Sequence, residues 1–153
     1  PLIAVDGVKG AGYEEMVEIK TAGVSQAPQW KEDNVECLNN YAYYLSVERT
    51  NLDKAEEMSY KTVKAEPENA TYLDTYAWIL FEKKRYTEAR IYIEQAMKNG
   101  GDSSQVIVEH CGDIYYMTGD VDGALKYWKQ AQEVGSESKT LKKKIEKKKY
   151  IPE

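Results

Sequence analysis

The chain has 153 residues, 42% of them apolar and 31% charged, which is enough for a packed core in a single domain. No run approaches the roughly 18 consecutive apolar residues of a membrane helix, so membrane insertion is not expected. The net charge of −5 hides a split: the last 17 residues hold seven lysines against three glutamates, and without them 14 basic and 23 acidic residues leave a body of net −9. An acidic body disfavours phosphate-backbone binding, which needs lysine and arginine to displace counterions. Nucleic acid is therefore not expected as a partner.

Residues 1–33 follow no repeat. Leu2 to Val5 could form a short strand, Gly7, Gly10 and Gly12 mark a turn, and Tyr13 to Lys20 a brief helix closed off before Pro28. The glycines do not make a phosphate loop: Glu15 stands where a dinucleotide fingerprint needs Gly or Ala, and no Gly-Lys-Ser/Thr follows Gly12. The chain opens on Pro1 without a methionine, which fits a fragment or a processed form, so missing targeting signals carry no weight.

From residue 34 a pattern repeats. Leu38, Tyr41, Ala42 and Leu45 return as Leu73, Tyr76, Ala77 and Leu80, and again as Val108, Cys111, Gly112 and Tyr115, at steps of 35. Asn34, Asn69 and Ser104 precede these runs at the same interval, each with a short polar side chain that can accept from first-turn N–H groups. Ala55, Ala89 and Ala124 follow at intervals of 34 and 35. A small residue in each of two successive helices lets them cross closely, so the unit is an antiparallel helix pair. The predicted helices are 35–48, 52–65, 70–83, 87–98, 105–117 and 121–133, punctuated by Pro67, Gly100-Gly101 and Gly135-Ser136. A seventh, from about Ser138 to Lys149, has Leu141 and Ile145 as its only apolar stripe, and its lysines are read as facing water and complementing the helix C-terminus, the alternative being contact with nucleic acid or anionic lipid.

On these residues the chain closely resembles the tetratricopeptide repeat family. Gly112, Tyr115, Gly119-Asp120, Ala124, Trp128 and Ala131 carry the best match, and Tyr76-Ala77, Leu80, Tyr86, Ala89, Ile93 and Ala96 the next. The first repeat keeps Ala55 and Pro67, puts Ser59 and Thr62 at second-helix core positions, and has one extra residue between its helices. The resemblance implies an all-α fold, an α-α superhelix of three helix pairs (34–68, 69–103, 104–136), with a lysine-rich capping helix and tail over 137–153. The wording Leu-Asn-Asn-Tyr-Ala-Tyr-Tyr-Leu and Leu-Asp-Thr-Tyr-Ala-Trp-Ile-Leu is similar to bacterial members, some of them attached to the cell envelope, which points to bacterial cytoplasm or envelope.

In that family the first helix of each repeat lines a concave groove. The register carries over to Glu36, Asn39, Tyr43 and Ser46, then Thr71, Asp74, Trp78 and Phe81, then Val106, Glu109, Asp113 and Tyr116. The expected partner-binding set is Asn39, Tyr43, Asp74, Trp78, Phe81, Glu109, Asp113 and Tyr116. Aromatic faces beside carboxylates suit a protein or peptide segment with lysine or arginine next to apolar residues. A chaperone-tail clamp needs lysine, asparagine and arginine; only Asn39 fits, and Asp74, Glu109 and Asp113 would repel a carboxylate. The second reading is a structural spacer or homotypic assembly, a homo-oligomer built on helix faces and on Leu2, Ile3, Val5 and Trp30.

Glu109 and Asp113 are four apart and share a helix face, which suits a shared cation or plain solvation, and His110 points about 100° away from Glu109. No nucleophile, base and orienting group form a recognisable motif, so neither an enzyme nor a cofactor or metal is expected. Cys37 and Cys111 stand at apolar positions two repeats apart and read as small core residues.

Overall fold

A computed structural model describes residues 34–152. The expectations for Leu2 to Val5, Gly7 to Gly12, Tyr13 to Lys20 and Trp30 lie outside the described residues. Seven α-helices and one 3-10 turn, with no strand among them, make the described residues all-α. The helices are α1 (Val35–Glu48), α2 (Leu52–Ala65), α3 (Ala70–Glu82), α4 (Tyr86–Lys98), α5 (Gln105–Met117), α6 (Val121–Glu133) and α7 (Lys139–Lys147), with the 3-10 turn Gly101–Ser103 before α5. The chain divides into two compact units between Pro67 and Glu68, where length alone suggests one domain.

The first unit is described through the hairpin of α1 and α2. Asn34 accepts from the Cys37 N–H at 2.9 Å, capping α1 as its side chain predicts. Leu38, Tyr41, Ala42 and Leu45 are buried, as are Ala55, Met58 and Val63 of α2. The extra residue of this repeat lies in the helix rather than in the turn: α1 has 14 residues against 13 in α3 and α5. Lengthening a helix keeps its hydrogen bonds, and the chain then turns through Arg49 and Asn51, both with positive φ. The buried Thr62 hydroxyl donates to the Ser59 carbonyl at 2.6 Å, and the buried Ser59 Oγ has no partner among the described residues.

The second unit stacks two hairpins and α7. Asn69 and Ser104 cap α3 and α5 through the N–H groups of Tyr72 and Ile107. Asp120 and Ser138 cap α6 and α7 in the same way through Gly123 and Leu141, two caps that the period alone does not single out. Leu73, Tyr76, Ala77 and Leu80 of α3 are buried, as are Ala89, Ile93 and Ala96 of α4. In the next hairpin Gly112 lets α6 approach α5: a Cβ there would collide with the Trp128 indole. Val108, Ala124, Trp128 and Ala131 form one buried cluster, and Leu141 of α7 completes it. Three-residue turns close each hairpin, which leaves neighbouring helices antiparallel.

Candidate binding face

The helical rise puts Asp74, Trp78 and Phe81 on one side of α3, and Glu109, Asp113 and Tyr116 on one side of α5. Contacts between those helices join the two sets. Asp74 Oδ1 lies 2.8 Å from His110 Nδ1, and the His110 ring stacks on Trp78 with centroids 3.9 Å apart. Trp78 stacks in turn on Phe81 at 4.3 Å, and the Phe81 ring meets Tyr86 and Tyr150 edge-on, each at 5.3 Å. The result is a ladder of four rings, His110, Trp78, Phe81 and Tyr150, with a carboxylate at one end.

Beside it stands a second carboxylate centre. The Lys144 ammonium donates to Glu109 Oε2 at 2.7 Å and to Asp113 Oδ1 at 2.8 Å. The Trp128 indole N–H donates to the same Asp113 oxygen at 3.0 Å. Lys144 is only 2% exposed, as is Asp113, so this is an ion pair withdrawn from water. Reading every lysine of the tail as facing water therefore fails at Lys144. Water surrounds Lys142, Lys143, Lys147, Lys148 and Lys149, but the alternation of the helix turns Lys144 inward with Leu141.

Burial and charge act against each other here. Burial pushes the Asp113 carboxyl up to about 6, and Lys144 only partly offsets it. For Lys144 burial disfavours the ammonium, yet Asp113 and Glu109 outweigh it and raise its pKa. For His110 burial likewise disfavours the charge, and Asp74, then Asp113 and Glu109, reverse the sign and raise the imidazole above its usual range. In both groups the carboxylates of the face favour the protonated form against the cost of burial.

Of the eight residues expected to bind a partner, the second unit brings together Asp74, Trp78, Phe81, Glu109 and Asp113, with Tyr116 stacked on Trp128 behind them. Asp74, Phe81 and Asp113 are buried, while Trp78, Glu109 and Tyr116 keep partial exposure. Asn39 and Tyr43 belong to α1 in the first unit; Asn39 is buried, its Oδ1 without a partner among the described residues, and Tyr43 is half-buried. Of the remaining groove positions Glu36, Thr71 and Val106 are exposed, and Ser46 is buried.

His110, Lys144 and Tyr150 are missing from the expected set, although a signal for two of them exists. Counted from their caps, Asp74 and Glu109 are both fifth residues, while His110 and Lys144 are both sixth. The fifth residue of one such helix pairs with the sixth residue of the next.

Among the described residues no three His, Cys, Asp or Glu side chains are grouped to hold a metal ion. Cys37 and Cys111 are buried and form no disulfide among the described residues, and burial lifts the Cys111 thiol to about 12, which makes it a poor nucleophile. No described helix is long and apolar enough to cross a membrane. No protein-family model matches the sequence, and no curated protein matches it either.

Proposed function

We propose that this chain is a non-catalytic protein-interaction scaffold of the tetratricopeptide type, whose α3–α5 face holds a basic, apolar helix or peptide of a partner. One observation carries this reading: the face already seats a lysine between two carboxylates, with an aliphatic side chain below it and aromatic rings beside it. Such a surface discriminates by charge and by ring contact, and it is assembled from side chains of several helices. In support of a role without chemistry, Glu109 and Asp113 are paired with the Lys144 ammonium and Asp74 with the His110 imidazole. The alternative, a structural spacer or homotypic assembly, would use helix faces and the N-terminal segment; among the described residues the exposed large apolar side chains Val47, Tyr60, Ile91, Val106 and Val121 fall one to a helix.

Capture from cell extract by the immobilised full chain tests the proposal. Trp78→Ala combined with Asp74→Asn is expected to cut capture of a specific partner at least tenfold while circular dichroism stays helical. Undiminished capture by that variant would remove this face from the function.

A further inference from the structure

The segment from Ser138 to Tyr150 matches the ligand that the face is suited to take. It carries Leu141, fully buried, then Lys144 on the two carboxylates, then Ile145, partly buried on the same cluster. After α7 the backbone enters the left-handed region at Lys148, with φ 54°, and the Lys149 N–H returns to the Lys144 carbonyl at 3.2 Å. That reversal brings Tyr150 back over the face, with its ring 5.3 Å from Phe81 and 5.2 Å from the Lys144 ammonium. The tail thus reaches both α3 and α5, while α7 itself packs chiefly on α6.

Its attachment is also small in extent, resting on Leu141 and Lys144. With nine residues α7 is the shortest of the described α-helices, and a helix of that length has little stability of its own. Leu141 and Lys144 are its only buried residues, whereas α3 buries nine. Lys142, Lys143, Lys147, Lys148 and Lys149 crowd like charges along its exposed side. A short element with few buried apolar contacts opens locally well before the whole fold does.

We infer that α7 and Tyr150 are a built-in, displaceable ligand, and that the face accepts from outside a basic amphipathic helix with the pattern Leu-x-x-Lys-Ile followed by an aromatic residue. This rests on the reading of the face as a helix-binding surface, and adds the class of partner and the segment that regulates access. A tethered ligand acts at an effective concentration in the millimolar range, so an outside helix enters the closed chain only where it binds the face more tightly than the untethered segment does.

A fluorescently labelled synthetic peptide spanning residues 137–151 provides the test. It is titrated into the full chain and into a full-chain variant with Leu141→Ser and Lys144→Ser, which leaves Phe81, Glu109 and Asp113 in place. The variant is expected to bind the peptide at least tenfold tighter than the unaltered chain does, and a peptide carrying Lys144→Glu is expected to lose that binding. Equal binding by both chains, or none by a variant that keeps its helical signal, would overturn the inference. Hydrogen exchange on the unaltered chain needs no folded variant: α7 amides are expected to exchange at least tenfold faster than those of α5 and α6, and exchange of α7 only through global unfolding would overturn the inference equally. Peptide uptake by the Leu141→Ser, Lys144→Ser variant without partner capture from extract by that same variant would remove the outside partner and keep the built-in ligand; capture without peptide uptake would do the reverse.

Discussion

His110 and Asp113 decide how the face responds to pH. Both have folded-state pKa values above their unfolded ones, so the folded state binds more protons than the unfolded state between the two values, and stability falls as pH rises through that interval. For Asp113 the interval runs from 3.8 to about 6. For His110 the contribution is complete below 6.5 and is lost as pH climbs through its raised value. The groups facing His110 are Asp74, Asp113 and Glu109, all carboxylates. Urea midpoints are accordingly expected to fall between pH 6 and pH 8, and His110→Gln is expected to remove most of that slope. A slope unchanged in the variant would mean that some other group controls it.

At the scale of elements, close helix crossing and helix termination each rest on a single backbone position. Gly112 is buried where α5 meets α6, and Gly112→Ala would drive a methyl into Trp128, the residue whose indole N–H serves Asp113. A loss of about 1–3 kcal/mol is expected from overpacking of this kind, measured by denaturant titration. Lys148 ends α7 in the left-handed region, which costs a residue with a Cβ about 1–2 kcal/mol. Lys148→Gly relieves that cost but gains unfolded-chain entropy, so a net stabilisation of about 0.5 kcal/mol is expected. It should appear as slower hydrogen exchange across α7, and faster exchange there would contradict the left-handed geometry. These two glycine effects have opposite signs because one position lacks room for a Cβ and the other lacks conformational freedom.

Across the whole molecule, what could be read from the sequence was whatever recurs. Helix positions followed from a spacing shared by Ala55, Ala89 and Ala124, and the caps at Asn34, Asn69 and Ser104 from the same spacing, because close crossings and orphan N–H groups impose local and repeated demands. Features that occur once were harder to see. Lys144 sits inside a run of like residues, and composition assigns such a run to water; only its distance from Ser138 distinguishes it, and that cap itself falls one residue short of the period. Tyr150 depends on a left-handed residue that no motif announces. The carboxylates were legible as a face, but their partners were not, since a pair between successive helices is set by tertiary register rather than by neighbours in the chain. The split between an acidic body and a basic tail, visible in the composition, has its structural counterpart in Lys144 between Glu109 and Asp113.

The stack of Trp78 on His110, at 3.9 Å and 15° between planes, has an optical consequence. A protonated imidazole in contact with an indole quenches its emission, and a neutral one does so far less. Trp128, by contrast, is fully buried with its N–H tied to Asp113, so its spectrum reports on the pair that Lys144 completes. Trp78 and Trp128, two of the chain's three tryptophans, are in effect separate labels supplied by the chain itself, one tuned to the charge on the ring ladder and the other to the presence of the tail.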